Sequence, residues 1–374
     1  MAITIRSVPH HANKEFIKLQ WKFYEGDPNW VPPLLFDRAK LLNVAKNPFY
    51  QHAVMELFIA EDDGIPVGRI AGIINSLHNE THGDQVGFFG FFECRDDQAT
   101  ADALFNHVAQ WLRDRGRTVM RGPLNPSIND ELGLLIDGFD SPPVILMSYN
   151  PEYYPRLLEG SGLKKSKDLY AYLMKAEAVR TPKLERGQKL VRERYGLTVR
   201  NVDFKNLKAE MKILRTLYNS AWEKNWGAVA MTETEFDFLA ADLKQVLGSF
   251  KEFAFLVEIH GTPVGFALLL PDINQLLITN KRGWLIPGAW KLLTGSKKIT
   301  NGRILVLGIL PEYRNKGIDA VMYWEVVERA GRRNILQSEA SWVLEDNMMM
   351  NRAAEELMHA TRYKTYRIYD KAIS

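Results

Sequence analysis

The 374-residue chain has a single cysteine, Cys94, which excludes an intramolecular disulfide and fits a reducing compartment. It also lacks any apolar run approaching the ~18 residues that a membrane-crossing helix needs. Residues 1–9 hold no apolar core of a signal peptide. Neither spanning nor secretion is therefore expected, and a cytoplasmic location follows by default. Charge of one sign is scarce too: 48 Lys and Arg face 45 Asp and Glu, a formal net charge of +3. That balance demands no nucleic acid and no acidic membrane, and neither is expected as a partner. What is present is a globular composition, 46% hydrophobic and 25% charged, which excludes a disordered chain. The length fits two domains.

The two domains are visible as a repeat. Residues 58–68 read FIAEDDGIPVG and residues 255–265 read FLVEIHGTPVG. They align without a gap on a Phe, a Glu and the run Gly-x-Pro-Val-Gly, and each reads as a β-hairpin closed by a glycine turn. The flanking elements keep the same order. In the first half the pattern predicts a strand at 3–7, helices at 13–24 and 36–43, the hairpin and a strand at 86–93. A helix at 98–115 follows, with Ala103, Phe105, Val108, Trp111 and Leu112 at helical spacing. Strands at 118–121 and 144–148, a helix at 152–160 and a strand at 168–174 complete it. The second half predicts a strand at 198–203, helices at 207–223 and 233–247, and the hairpin. An insertion at 271–301, rich in Gly, Trp and Lys, reads as a surface excursion. Then come a strand at 303–310, a helix at 317–331, a strand at 335–342, a helix at 348–358 and a strand at 363–369. This is a mixed α/β sandwich without the strict βαβ alternation of a doubly wound sheet. The boundaries read as 1–174, a basic, partly helical connector at 175–196 with a solvated face, and 197–374.

The most informative stretch is ILVLGILPEYRNKGIDAVMYWEVVERA at 304–330. An apolar strand ends at Leu310, a polar loop carries Arg314 and Lys316, and Gly317 opens a helix. Helix-start N–H groups and the helix dipole favour an anion there. Gly317 lets a phosphate approach the main chain, and the two basic side chains add charge. Gly308, within the strand, marks a bulge or a close approach by a ligand.

The run Arg314-Asn315-Lys316-Gly317-Ile318-Asp319 resembles the acetyl-CoA pyrophosphate loop of the GNAT superfamily, Arg/Gln-x-x-Gly-x-Gly/Ala. The stretch Ser341-Trp-Val-Leu-Glu-Asp-Asn347 and the segment 363–371 resemble the rest of such a domain. Taken whole, the chain is similar to two-lobed bacterial GNAT-like proteins. The resemblance implies two tandem lobes of the acyl-CoA N-acyltransferase fold, the second binding acetyl-CoA or a longer acyl-CoA without a metal. It places the thioester beside Leu307, Gly308 and Ile309 and assigns cofactor contacts to residues 314–319 and Asn347. One departure is Asp319, which stands where the family has a second small residue; its side chain is expected to turn away from the phosphates. In the first half the corresponding loop, Cys94-Arg-Asp-Asp-Gln-Ala-Thr100, has adjacent carboxylates and no glycine. That lobe is expected to keep the fold without the cofactor and to wall the substrate cleft.

Acyl transfer to an amine needs a neutral nucleophile. An amine of pKa ~10.4 is neutral in roughly one molecule in 2,500 at pH 7, a cost of about 4.6 kcal/mol. A base must take its proton, and an acid can protonate the leaving thiolate. The family's usual acid, a tyrosine early in the helix after the fifth strand, is not supplied: Ala354 or Met358 stands there. Tyr363 is the candidate replacement, against the plainer reading of a core or edge aromatic. Glu339 is the candidate base, against a solvent-facing or salt-bridged strand residue. Trp222, Asn225 and Trp226 are candidates for the acceptor site, against a buried helix end. The expected activity is transfer of an acyl group, acetyl by expectation, from acyl-CoA to a small or amino-acid-like amine. A Fem-like aminoacyl transferase using charged tRNA and a non-catalytic acyl-CoA-binding module are the competing readings. His78 and His82 stand four apart in a segment that reads as a loop without a third ligand. Cys94 reads as a small buried residue. Residues 125–131 read as a cleft lining or a surface loop, and Met348–Met350 as core filler.

Overall fold

The computed structural model describes residues 3–222 and 225–373, which form two compact units. The first comprises the chain up to Leu169, Leu277–Trp290 and the chain from Lys364 on; the second comprises Tyr170–Leu276 and Lys291–Tyr363. The division thus falls elsewhere than at 174 and 197, with two later segments returning to the first unit. Among the described residues no helix is long and apolar enough to cross a membrane.

The first stretch of chain runs β1 (Thr4–Val8), α1 (Lys14–Phe23), α2 (Leu35–Leu41), β2 (Ala53–Asp62), β3 (Ile65–Asn75) and α3 (Ser76–His82). It continues with β4 (Val86–Cys94), α4 (Gln98–Arg113), β5 (Val119–Gly122), β6 (Leu124–Asn125), β7 (Glu131–Leu132), β8 (Leu134–Asp137), α5 (Tyr154–Gly160) and β9 (Lys164–Lys175). Then follow α6 (Ala176–Val179), α7 (Pro182–Tyr195), β10 (Leu197–Asn201), α8 (Leu207–Trp222), α9 (Glu233–Leu247), β11 (Ala254–Ile259) and β12 (Thr262–Pro271). The chain ends with α10 (Asn274–Leu277), α11 (Leu285–Gly295), β13 (Asn301–Ile309), α12 (Ile318–Arg332), β14 (Gln337–Leu344), α13 (Met348–Arg352) and β15 (Thr361–Ala372).

In the first unit the strand order is β1-β2-β3-β4-β5-β15, with β8 also on β15. Only the β4–β5 pair is parallel. The helical spacing noted in α4 buries Phe105, Val108, Trp111 and Leu112, with Leu104, against Phe58, Ile70 and Phe89 of the sheet. In the second unit the order is β14-β13-β12-β11-β10, and only β13–β14 is parallel.

The repeated hairpins agree in detail. Asp63-Gly64 and His260-Gly261 both turn through positive φ, at 51° and 77° and at 48° and 79°, the requirement of a type I′ turn. Register then shifts at the same place in each. Ala60 faces Gly68 while Glu61 faces Pro66, leaving Val67 as the extra residue. Val257 faces Gly265 while Glu258 faces Pro263, leaving Val264. The shared Pro-Val-Gly is thus a shared bulge.

Two local expectations need correction, and a third, the solvated face of the connector, is only partly met. Residues 144–148 are irregular, and the strand lies earlier, in β8, against Thr365–Arg367. Asn150 explains the shift: its Oδ1 accepts from the Leu135 N–H at 2.7 Å and its Nδ2 donates to the Leu135 carbonyl at 3.1 Å. A side chain there does what a neighbouring strand would do. The histidine segment is not a loop but the helix α3, started by Asn75, whose side chain accepts from the His78 N–H. The basic connector contains a 14-residue helix, α7, capped by Thr181, carrying Pro182 in its first turn and ending at Gly196 with φ 56°. Its basic face is partly paired: Arg192 meets Glu325 of α12 at 2.6 Å, and Arg180, just before α7, meets Glu328 at 3.2 Å.

Candidate active site

Strand β13 carries the site because its two edges part company. On one edge it pairs with β12 as far as Ile309, with a register shift that leaves Leu305 as an extra residue. On the other edge the parallel ladder matches Asn301–Ile304 with Gln337–Ala340 and stops, so β13 and β14 splay from Leu305 onward. The Leu310 N–H donates to the Val264 carbonyl at 2.9 Å. With the period of two along a strand, the N–H groups of Leu307 and Ile309 point to the opposite edge, into the splay. Donors left there can polarise a carbonyl.

Gly308 allows a close approach, and the group that approaches is Trp222. A Cβ at Gly308 would lie 2.6 Å from the indole and 3.1 Å from the Ala221 Cβ. Trp222 itself stacks on Tyr218 at 4.9 Å and meets Phe266 edge-on. The structure therefore brings Trp222 onto strand β13. Asn225 and Trp226 lie in the turn after α8: the Asn225 N–H donates to the Trp222 carbonyl and the Ala228 N–H to Asn225. Glu223 and Lys224, between Trp222 and Asn225, lie outside the described residues.

The loop into α12 has the form an anion needs. Asn315 and Gly317 both take positive φ, 60° and 77°, and no side chain caps the helix. The N–H groups of Ile318 and Asp319 at the helix start are thus not taken by a capping side chain. A Cβ at Gly317 would meet Val191 of α7 at 3.0 Å, so α7 forms the floor of this turn. Burial, with the Asp319 charge one turn earlier second, pushes the Tyr323 hydroxyl pKa well up. Arg314 is committed to the backbone, donating to the carbonyls of Ala221 at 2.7 Å and Ile309 at 3.4 Å. It clamps the end of α8 to the end of β13. Lys316 sits over the Tyr313 ring at 4.6 Å. Asn347 caps α13 by accepting from the Met350 N–H at 3.2 Å.

Glu339 and Tyr363 come together. Glu339 is fully buried on β14, one register position before the splay. The Tyr363 hydroxyl donates to one of its carboxyl oxygens and the Ser341 hydroxyl to the other. Ser341 in turn accepts from Arg303 Nε at 3.0 Å, and Arg303 lies over the Trp342 ring at 4.9 Å. The solvent-facing reading of Glu339 is therefore overturned. The pairs Glu339–Tyr363 and Glu339–Ser341–Arg303 form one connected chain that can pass a proton between a buried carboxyl and the half-buried Tyr363. Nearby, the buried Trp342 Nε1–H has no hydrogen-bond partner, an unsatisfied donor of about 1–3 kcal/mol that an oxygen-bearing ligand would relieve. Arg303 and Val191 were not singled out from sequence, and Ser341 and Trp342 were given no role there. Only Arg303 gave a signal, as a charge inside an apolar strand. Ala354 and Met358, at the family tyrosine's place, are buried and carry no proton.

The first unit has the same splay and fills it. The β4–β5 ladder covers only Val86–Phe88 against Val119–Arg121. Beyond it the β6–β7 hairpin enters: the Phe91 N–H donates to Asn125 Oδ1 at 2.6 Å, and a Cβ at Gly90 would lie 1.8 Å from the Leu124 carbonyl oxygen. Residues 125–131 are thus a wedge rather than a surface loop. At the start of α4, Asp97 accepts from the Thr100 N–H at 2.9 Å, putting a carboxylate where the second unit leaves helix-start N–H groups uncapped. The Thr100 hydrogen bonds, the hydroxyl's foremost, hold its pKa below the usual carboxylate range.

The remaining candidates take structural places. Burial, with Asp97 second, pushes the Cys94 thiol pKa well up, against nucleophilic use. Burial lowers the His78 pKa to about 4, and its ring packs on Phe88 beside His82. Among the described residues no three His, Cys, Asp or Glu side chains converge as metal ligands. Met348 and Met349 are exposed on the first turn of α13, not core filler.

The pattern of the family described as Acetyltransferase (GNAT) family matches residues 211–359. Protein YghO of Escherichia coli (strain K12) is 35% identical over 368 residues, 96% of this chain and 93% of that protein. The bacterial ceramide synthase of Caulobacter vibrioides (strain NA1000 / CB15N) is 36% identical over 373 residues, 96% of this chain and 94% of that protein. The chain belongs to the GNAT acyltransferase family. Solved GNAT structures share its fold at low identity. A tandem GNAT protein from the clavulanic acid biosynthesis pathway superposes with TM-score 0.59 at 11% identity, covering 100% of this chain and 99% of that one. A GCN5-related N-acetyltransferase from Sphaerobacter thermophilus gives TM-score 0.54 at 14% identity, covering 99% and 96%. As a GNAT acyltransferase, the chain is an enzyme of group transfer from an acyl donor, built as a mixed α/β tandem.

Proposed function

We propose that this GNAT acyltransferase forms an amide between the acyl group of a long-chain acyl-CoA and the amine of a long-chain amino alcohol. The observation that carries the choice of acceptor is the 36% identity, over nearly the full length, to a protein named a ceramide synthase. A ceramide is an N-acylated long-chain amino alcohol. This reading departs from the small or amino-acid-like amine and the acetyl group expected from sequence.

In this reading the CoA diphosphate sits on the N–H groups that follow Gly317, and the thioester carbonyl lies against the Leu307 and Ile309 N–H groups. Trp222 on Gly308, with Asn225 and Trp226 in the turn beyond, borders the acceptor. The amine nitrogen bonds to the thioester carbon and the carbon–sulfur bond breaks. The amine proton passes through Tyr363 to Glu339, and the same proton can return by Tyr363 to the departing thiolate. A thiol of pKa ~8.5 leaves readily even with weak acid help.

Free-thiol release, measured with palmitoyl-CoA or acetyl-CoA against sphinganine or an amino acid, tests the acceptor and the donor separately. Turnover is expected with palmitoyl-CoA and sphinganine. Turnover confined to amino acids or to acetyl-CoA, or none with any pair, would reject this reading.

The cradle has its own test. Gly317→Val puts a β-branched residue at φ 77° and a methyl-bearing carbon 3.0 Å from Val191, so the turn must rearrange. Calorimetry should show palmitoyl-CoA affinity about tenfold weaker or worse, with a stability loss of about 1–3 kcal/mol. Unchanged affinity would take the diphosphate off this loop.

A further inference from the structure

Helix α11 is built inside out. A surface helix ordinarily turns large apolar residues inward and polar ones outward. Here the inward positions are glycines: a Cβ at Gly288 would lie 2.8 Å from Leu34 Cδ2, and one at Gly295 2.9 Å from Leu276 Cδ2. The outward positions are Ile286, Trp290 and Leu293, which are 83%, 68% and 79% exposed. Their spacing of four and three places them on one stripe. Trp284 and Leu285, at the helix start, are exposed as well. The segment leading into the helix is fixed: the Trp21 indole donates to the Lys281 carbonyl at 2.8 Å, and the Leu35 N–H donates to Gly283 at 2.9 Å. The stripe is therefore displayed on an anchored helix.

Its charge names the occupant. Lys281 and Arg282 precede the helix, Lys291 lies within it, and Lys297 and Lys298 follow it. Between Asp272 and Glu312 the sequence has no acidic residue. Arg282 lies over the Trp284 ring at 4.9 Å, joining a cation to an amphipathic aromatic. An apolar stripe flanked at both ends by cations, with Trp284 at its margin, suits a bilayer interface with anionic headgroups. A protein partner would be expected to meet mixed charge at the rim. The lack of an 18-residue apolar run bears on spanning a bilayer, and lying on one is a different demand.

We propose that α11 and its flanking lysines dock this chain on the surface of an anionic membrane, with Ile286, Trp290 and Leu293 entering the headgroup–acyl boundary. The inference does not depend on the acceptor, because docking is read without turnover.

Full-length protein is floated with vesicles of phosphatidylcholine alone or with 30% phosphatidylglycerol, alongside Ile286→Asn/Leu293→Asn and Lys297→Glu/Lys298→Glu. Both pairs are exposed, so the fold is expected to tolerate them, and circular dichroism checks that. The wild type should bind the anionic vesicles at least about tenfold more tightly than the neutral ones, and each double variant should lose about tenfold. Equal partition of wild type and variants, or no binding of the wild type, overturns the proposal. Sedimentation tests the rival occupant: a wild-type dimer that the Ile286→Asn/Leu293→Asn change converts to monomer makes this face an interface between copies and also overturns it.

Discussion

Glu339→Gln should lower kcat about a hundred- to ten-thousand-fold, the range that a positioned general base contributes, and leave palmitoyl-CoA affinity unchanged. The substitution suits the site. Glutamine keeps one carbonyl oxygen to accept from Ser341 or Tyr363, and its amide can donate to the other hydroxyl, so both neighbours stay bonded. Fold and melting temperature should therefore hold to within about 1 kcal/mol. Alanine would be a poorer probe, because it strands the Ser341 and Tyr363 hydroxyls in a buried place and mixes instability with chemistry. Tyr363→Phe should fall short of Glu339→Gln in its effect if the phenol only relays the proton, because a water molecule can occupy the gap. Full activity in Glu339→Gln would remove the carboxyl from the reaction and return it to a structural role beside Arg303.

The tandem plan was legible because each hairpin writes its own turn and bulge locally. Asp63-Gly64 and His260-Gly261 set the type I′ turns, and Pro-Val-Gly sets the shift at Val67 and Val264. The anion loop was legible for the same reason: Gly317 and the strand end before it are neighbours in sequence. Closures between distant residues were not. Nothing near 134–137 announces that Asn150 will bond both polar groups of Leu135, so the strand was placed ten residues late. Gly308 reads from sequence as a bulge or a close approach by a ligand, yet the group that approaches it is Trp222, 86 positions earlier. Arg314 and Asn347 carry the family pattern, and each is engaged with nearby backbone, a choice that depends on where the helix ends α8 and α13 arrive. The union of Glu339 on β14 with Tyr363 on β15 required the late return of β15 to the sheet, which periodicity does not reveal.

Gly90→Ala should be among the most destabilising single-methyl additions in the first unit and leave acyl-CoA binding intact. The added carbon would meet the Leu124 carbonyl oxygen at 1.8 Å and the Leu124 carbonyl carbon at 2.9 Å. Both belong to the backbone and cannot turn aside as the tip of a side chain would. The strand β6 must back away, and with it goes the hydrogen bond from the Phe91 N–H to Asn125 Oδ1. Overpacking of this kind costs about 1–3 kcal/mol, and loss of the bond adds about 1 kcal/mol. With a shift of about 2–4 °C per kcal/mol for a body of this size, the unfolding transition should fall by roughly 4–16 °C. Calorimetry on the folded variant should still find one palmitoyl-CoA per chain with wild-type affinity, because the wedge that β6 fills is the place a second acyl-CoA would need. Two sites per wild-type chain would mean that β6 yields to the ligand. An unchanged transition in Gly90→Ala would mean that the wedge is loosely held. Either result would remove the physical reason for assigning the acyl donor to the second unit alone.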